Sequence, residues 1–119
     1  MSHILDPLTI HSLRLSNRLV LPPMATAKAS PEGRVTQAVL DWYAQKCPGL
    51  GLVIAEHAFV LPEGRAGLGQ LSVASDETLD GLGRLGRVIH EAGSACALQI
   101  SHAGSRTSPA ISGSRPRAP

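Results

Sequence analysis

The chain has 119 residues, 43% apolar and 17% charged, with eleven basic against nine acidic side chains and a net charge of +2. That length suits a single domain of roughly 100–150 residues, and the apolar content excludes a disordered or coiled-coil chain. Near-balanced charge and only three aromatic residues leave no basic, aromatic-interleaved stripe for nucleic acid, and no apolar run reaches the roughly 18 residues of a membrane helix.

The N-terminus, Met1-Ser2-His3-Ile4-Leu5-Asp6-Pro7, lacks a charged segment followed by an apolar one, so no secretory signal is expected and a cytoplasmic location fits. Residues 8–15 place Leu8, Ile10, Leu13 and Leu15 near period two, broken at His11-Ser12, which predicts a small hairpin. Residues 18–21 (Arg-Leu-Val-Leu) read as a short strand stopped by Pro22-Pro23, since proline cannot donate to a central ladder. Residues 35–46 predict a helix capped by Thr36, with Val39, Leu40, Trp42 and Tyr43 on one face and Pro48-Gly49 ending it.

Residues 50–60 contain Leu52-Val53-Ile54-Ala55, an unbroken apolar run of the kind found in parallel strands buried on both faces. A second helix is expected over residues 77–92, capped by Asp76 or Ser75, with Leu79, Leu82, Leu85, Val88, Ile89 and Ala92 at three- and four-residue steps. Gly81, Gly83 and Gly86 lie inside it at a cost of about 0.8–1 kcal/mol each relative to alanine, so the helix depends on tertiary packing. Residues 95–101 predict a third buried strand. The polar, basic, proline-rich stretch from 105 to 119 reads as a flexible loop or a disordered tail. Cys47 and Cys96 are too few for a disulfide framework or a metal cluster and are expected as reduced, buried thiols.

Strands alternating with helices imply a parallel sheet, either an open α/β fragment or part of a (β/α)₈ barrel, which needs about 250 residues. Ligands in both architectures gather at the C-terminal ends of the strands. Those ends carry Pro22, Pro23, Met24, Ala25 and Thr26, then Glu56 and His57, then Gln99, Ser101, His102 and Gly104. Gln99 lies in an apolar strand, where its amide either bonds neighbouring backbone or water, or meets the donor–acceptor edge of a ring. His57 and His102 can equally be satisfied structural residues. Glu56 and His57 are strand neighbours, expected on opposite faces and therefore not an acid–base dyad. Glu56 is expected to pair with a basic group inside the fold or to pack toward the helices. Gly81, Gly83 and Gly86 match Gly-x-Gly-x-x-Gly but lie within a helix rather than at a strand–helix turn, so no Rossmann site is supported.

Leu5-Asp6-Pro7-Leu8-Thr9-Ile10, Leu15-Ser16-Asn17-Arg18-Leu19-Val20 and Pro22-Pro23-Met24 resemble the start of the old yellow enzyme family of flavin-dependent ene-reductases. Gly51-Leu52-Val53-Ile54-x-Glu56, Glu63-Gly64-Arg65, Ser75-Asp76-Glu77 and Leu98-Gln99-Ile100-Ser101-His102-Ala103-Gly104 continue the resemblance in order and spacing, over roughly residues 4–106. The resemblance implies an α/β fold: the N-terminal portion of a (β/α)₈ barrel, with a hairpin and then β-α-β-α-β. Residues 1–106 would belong to the FMN-binding barrel and 107–119 to a flexible loop.

It further implies non-covalent FMN, NADPH or NADH as reductant, and reduction of activated C=C bonds by hydride transfer through flavin N5. Pro22, Pro23, Met24, Ala25, His57 and Gln99 would contact the cofactor, with Gln99 on the pyrimidine edge. His57 stands where the family usually has a small residue. Some relatives carry a cysteine or threonine at position 25 that tunes the flavin; Ala25 cannot donate, so that tuning is absent or moves to Thr26. The family's substrate anchor, proton donor and phosphate loops match nothing in this sequence. The expected partners are therefore the complementary C-terminal part of the barrel and a small activated alkene, with no nucleic acid and no membrane; a homo-oligomer is compatible. The segment alone is expected to be inactive. The rival reading is a truncated fragment that binds no cofactor.

Overall fold

A computed structural model describes residues 3–117. Strands β1 (Leu8–Ile10) and β2 (Leu13–Leu15) pair antiparallel, Leu8 opposite Leu15, and His11 supplies the left-handed φ of 51° that so tight a hairpin turn needs. Strand β3 is only Val20–Leu21, because Pro22 ends it and Asn17 occupies the approach. The Asn17 side chain accepts from Leu19 N–H and donates to Gly49 O, tying the chain before β3 to the turn that precedes the next strand.

Helix α1 (Gln37–Lys46) starts at Thr36, whose hydroxyl accepts from Val39 N–H as predicted. Val39, Leu40 and Tyr43 are buried, and Trp42 is half-buried with its ring edge-to-face on Tyr43, centroids 4.8 Å apart. Strand β4 (Leu52–Phe59) is the centre of the sheet. Its Leu52–Val53 end pairs in parallel with β3, and its Ala58–Phe59 end with a two-residue strand, β5 (Leu71–Ser72). Along the opposite edge runs β6 (Ala95–Ser101), also parallel, over the whole length of β4. All three expected parallel strands are present, but β6, expected buried, has no fully buried residue, because its outer edge has no strand beside it among the described residues. β5 is an addition too short to leave a pattern in the sequence.

Helix α2 (Leu79–Glu91) follows a 3₁₀ turn at Asp76–Thr78. Neither Ser75 nor Asp76 makes the expected side-chain cap; instead Thr78 Oγ1–H donates to Ser75 O. Leu85 and Ile89 of α2 and Val39, Leu40 and Tyr43 of α1 close over Val53, Ala55 and Ala58 of β4 to form the core. Cys47 sits fully buried in it and Cys96 is half-buried against it, both as free thiols. Burial pushes the Cys47 thiol up to about 11 and raises that of Cys96. Gly104–Arg106 make a 3₁₀ turn, and within the stretch expected as a flexible loop Pro109–Ser112 make a single helical turn, α3, with proline at its start and Gly113 left-handed at its end.

Both helices cover one face of the sheet. Val20 (45%), Met24 (45%) and Ile100 (65%) remain exposed, and among the described residues the outer edge of β6 pairs with no strand. That is the arrangement of a barrel wall, whose neighbouring strands would cover the inner face and the edge. No helix among the described residues is long and apolar enough to cross a membrane.

Candidate functional site

Parallel pairing brings the C-terminal ends of β3, β4 and β6 to one side of the sheet. From β3 the chain continues as an extended loop, residues 22–29, in which Pro22, Met24, Ala25 and Ala27 are exposed and Pro23 and Thr26 half-buried. Glu56, fully buried on β4, fastens this loop. Its Oε2 accepts from Thr26 N–H at 3.0 Å and its Oε1 from Thr26 Oγ1–H at 2.8 Å. The basic partner expected for Glu56 is not there; the one ion pair among the described residues is Arg34–Glu77, on the surface. A backbone amide and a hydroxyl supply the donors that a buried carboxylate requires. Glu56 N–H donates in turn to Tyr43 Oη at 2.8 Å, and burial pushes the Tyr43 phenol well above its usual value, keeping it protonated.

The loop's far end is locked by a close backbone approach. Ala27 takes a left-handed φ of 56°, which costs a non-glycine residue about 1–2 kcal/mol. Gly69 packs directly beneath it: a Cβ there would stand 2.4 Å from Ala27 O. Ala29 N–H donates to Gly69 O at 3.0 Å, so the loops at residues 22–29 and 66–70 form one surface.

A β-bulge reshapes the strand end. Ala55 pairs with Leu98 and Ala58 with Ile100, so Glu56 and His57 together stand opposite Gln99. Strict alternation, on which the opposite-face expectation for Glu56 and His57 rested, is broken there. The two side chains nonetheless form no dyad, because each has other partners. His57 Nδ1 lies 3.3 Å from Gln70 Nε2 and 3.3 Å from Ser101 Oγ, and Gln70 Nε2 lies 3.2 Å from Ser101 Oγ. Gln70, almost fully buried, also accepts Ala66 N–H on Oε1 at 2.7 Å.

His57 and Gln70 line a cavity of about 250 Å³ whose other walls are Ala25, Ala27, Ala66, Gly67 and Leu68. Arg65 braces that rim, donating to Gly67 O and Pro31 O while its guanidinium rests 5.5 Å from the Phe59 ring centroid. A larger cavity of about 480 Å³ lies between Phe59, Arg65 and the α3 turn, and none of the expected cofactor contacts lines it.

Of the six expected cofactor contacts, only Ala25 and His57 line this cavity; Pro22, Pro23 and Met24 lie along the loop that leads to it. Gln99 is exposed on β6 beside the bulge, and His57 is half-buried across from it. His102 is exposed and turned aside, its Nδ1 accepting Gly104 N–H at 3.0 Å, with Gly64 packed against its ring. Small side chains along the rim, the open amide of Gln99 and the imidazole of His57 suit the edge of a planar, polar ring such as a flavin. The cavity itself, at about 250 Å³, is smaller than the roughly 300–1,000 Å³ of a ligand pocket. Gln70 was absent from the sequence reading, since a glutamine three residues after Gly67 carries no spacing signal, and nothing in the pattern linked Thr26 to Glu56, 30 residues apart.

The family model described as NADH:flavin oxidoreductase / NADH oxidase matches residues 3–116. The chain is 38% identical over 114 residues to an NADH:acrylate oxidoreductase of Vibrio harveyi, covering 95% of this chain and 11% of that protein. It is 38% identical over 113 residues to an NADH oxidase of Thermoanaerobacter brockii, covering 92% and 17% respectively. In fold it superposes on an old yellow enzyme homologue from Zymomonas mobilis with a TM-score of 0.90 at 23% identity, over 97% of this chain and 32% of that one. Morphinone reductase gives a TM-score of 0.88 at 24% identity, over 98% and 32%. The chain therefore spans less than a fifth of the curated relatives' length and about a third of the solved barrels. Its parallel sheet corresponds to the N-terminal portion of the old yellow enzyme barrel, and by the match over residues 3–116 the chain belongs to the NADH:flavin oxidoreductase / NADH oxidase family.

Proposed function

We propose that this chain is the N-terminal part of an FMN-holding barrel that oxidises NADH or NADPH and reduces an activated C=C bond. The observation that carries the proposal is the convergence of the 22–29 loop, the bulge and Gln99 at three adjacent parallel strand ends. Bound FMN would supply N5 as the hydride acceptor from the nicotinamide and the hydride donor to the alkene. On this reading the backbone of Pro22, Pro23, Met24 and Ala25 lies along the ring system, and Gln99 bonds its pyrimidine edge. His57 borders the same ring, and Glu56 holds the loop in place through Thr26. Thr26 has given both its N–H and its O–H to Glu56, so it cannot replace the flavin donor that Ala25 lacks.

The complementary strands would pair with the open edge of β6 and cover Val20 and Ile100, so the segment on its own is proposed to be inactive. The name of the Vibrio relative, an NADH:acrylate oxidoreductase, motivates an α,β-unsaturated carboxylate as the first acceptor to test.

The test is anaerobic. The chain is combined with the remainder of the barrel, loaded with FMN, reduced with NADH or NADPH, and then offered acrylate or an enone. Bleaching of the flavin absorption by the nucleotide and its return on adding the alkene is the expected result. Return of the colour only with oxygen refutes alkene reduction, and failure to take up FMN refutes the flavin site.

A further inference from the structure

Residues 105–112 form a strap that is bonded within itself and to little else. Arg106 N–H donates to Ala103 O, Ile111 and Ser112 N–H to Ser108 O, and Gly113 N–H to Pro109 O. Ser112 Oγ lies 3.0 Å from both Ser108 O and Ser114 O. Among the described residues, no hydrogen bond or ion pair joins the strap to the chain before Ala103. Its α3 turn rests on the 3₁₀ turn Pro62–Gly64, with Ser112 buried and Ile111 half-buried. A left-handed glycine stands at each end, Gly104 at φ 58° and Gly113 at φ 74°, where a change of backbone angle is most easily absorbed.

The present seat of the strap is poorly satisfied. Arg65 Nη2, Thr107 Oγ1 and Ser114 Oγ are buried without a hydrogen-bond partner among the described residues. Thr107 lies in the strap, Ser114 follows its hinge, and Arg65 borders the same two spaces as Ala110 and Ile111. Unbonded buried polar groups destabilise the arrangement that buries them, and water meets all three once the strap moves.

Those two spaces flank α3. The cavity of about 480 Å³ presents Glu32, Ser72 and Ser75. The other is a groove of about 530 Å³ walled by Ala27, Ala29, Pro31, Leu68 and Gly69. Leu68 is 73% exposed there. The groove therefore offers the Ile111 side chain the more apolar seat. Ala27 and Leu68 also line the His57 cavity, so a strap seated in the groove reaches that cavity's rim.

We propose that residues 105–112 are a lid, hinged at Gly104 and Gly113, that swings from its present seat into the groove and closes on Leu68 at the mouth of the His57 cavity. Resting on the flavin reading above, the molecule that fills this cavity extends the apolar floor beyond Ala27 and Leu68. It thereby adds contacts to the closed seat alone, which is what allows a ligand to shift the lid.

Two cysteine pairs in the complete barrel report the two seats. Ile111→Cys with Leu68→Cys reads the closed seat, and Ile111→Cys with Ala74→Cys the present one. Disulfide formation under diamide, mapped by mass spectrometry, should rise about 5- to 150-fold for the first pair with FMN, or with FMN followed by acrylate, the range of an ordinary coupling between sites. The second pair should fall in the same samples. An unchanged ratio with both ligands overturns the lid.

Hydrogen exchange tests the seat without any ligand. Thr107→Val with Ser114→Ala removes the two unbonded hydroxyls and should slow exchange over residues 105–113 of the FMN-free barrel by about 5-fold or more. Unchanged or faster exchange shows that the hydroxyls are satisfied in the present seat and overturns the proposal. A barrel that gives the slower exchange but takes up no FMN refutes the flavin reading and leaves the loosely seated strap standing.

Discussion

Thr26→Val isolates the clamp between the 22–29 loop and β4. Valine matches threonine in shape and keeps the backbone, so the 3.0 Å bond from residue 26 N–H to Glu56 Oε2 can persist. Lost is the 2.8 Å bond from Oγ1–H to Oε1, on a carboxylate with no exposed surface and no ion-pair partner among the described residues. Lys28 N–H also loses its 3.3 Å contact with Oγ1, but that group is exposed and rehydrates. A hydrogen bond to a charged acceptor contributes about 1.5–3 kcal/mol, and water cannot reach the orphaned oxygen, so the substitution should cost about 2–3 kcal/mol. In a barrel as long as the Zymomonas homologue, about three times this chain, each kcal/mol moves Tm by about 2 °C, giving a drop of about 4–6 °C. Calorimetry or thermal circular dichroism measures it, with Thr26→Ser as the control that restores the hydroxyl and most of the loss. A valine variant within about 0.5 kcal/mol of wild type, the range of an ordinary surface change, would show that Glu56 draws its stabilisation elsewhere and would refute the clamp.

Gln99→Leu should weaken FMN binding by the complete barrel about 5- to 150-fold, equivalent to about 1–3 kcal/mol for an unpaired polar edge; an unaltered dissociation constant, measured by fluorescence quenching, assigns Gln99 no contact. Ala25→Cys, at an exposed position on the cavity rim, should shift the flavin reduction potential without loss of fold, and wild-type potential together with wild-type rates in both half-reactions would contradict it. Tyr43→Phe strands the buried Glu56 N–H and should cost about 1–3 kcal/mol in chemical unfolding; a neutral result would mean that Glu56 N–H has another acceptor. Stability should fall as pH rises from about 9 towards 11, because the unfolded chain releases the Cys47 proton that burial holds up to about 11 in the fold. Cys47→Ala should make that limb shallower, the remainder coming from Cys96 and Tyr43, which burial also raises; an unchanged slope would contradict the assignment to Cys47.

Local pattern made much of this fold legible. Alternating leucines and isoleucine around His11-Ser12 define the hairpin, Thr36 the start of α1, and the apolar stretches 52–55 and 95–98 the strands β4 and β6. The α3 turn was also written locally, in Ser108-Pro109 before it and Gly113 after it, but the surrounding Ser, Arg and Pro masked that signal. The bulge was not legible. Leu52-Val53-Ile54-Ala55 has no alternation, so nothing in it marks where the ladder gains a residue. The helix-α2 cap failed for a different reason: a 3₁₀ turn intervenes, and Thr78 uses its hydroxyl as a donor to the backbone. Strand-end logic located the candidate site, but the partners that order it are long-range. Gln70 and Ser101 reach His57 from 13 and 44 residues away, and such contacts follow from sheet register, which composition does not encode.

The bulge accounts for how so short a strand end can serve two networks. In a regular strand, Glu56 and His57 would project to opposite faces, and only one of them could act at the mouth. Placing both opposite Gln99 lets consecutive residues work at the same level of the sheet. Glu56 engages the loop after β3, and His57 the end of β6 together with the residue before β5. The carboxylate is consumed in fixing backbone. The imidazole is fixed at one nitrogen and left open at the other, and the amide of Gln99 is left open altogether. Rigid placement by buried groups and free hydrogen-bonding capacity at the rim are thus divided among three residues at one irregularity. That division orders the loop backbone and one side of His57 through buried groups, while Gln99 keeps its hydrogen-bonding capacity free at the rim.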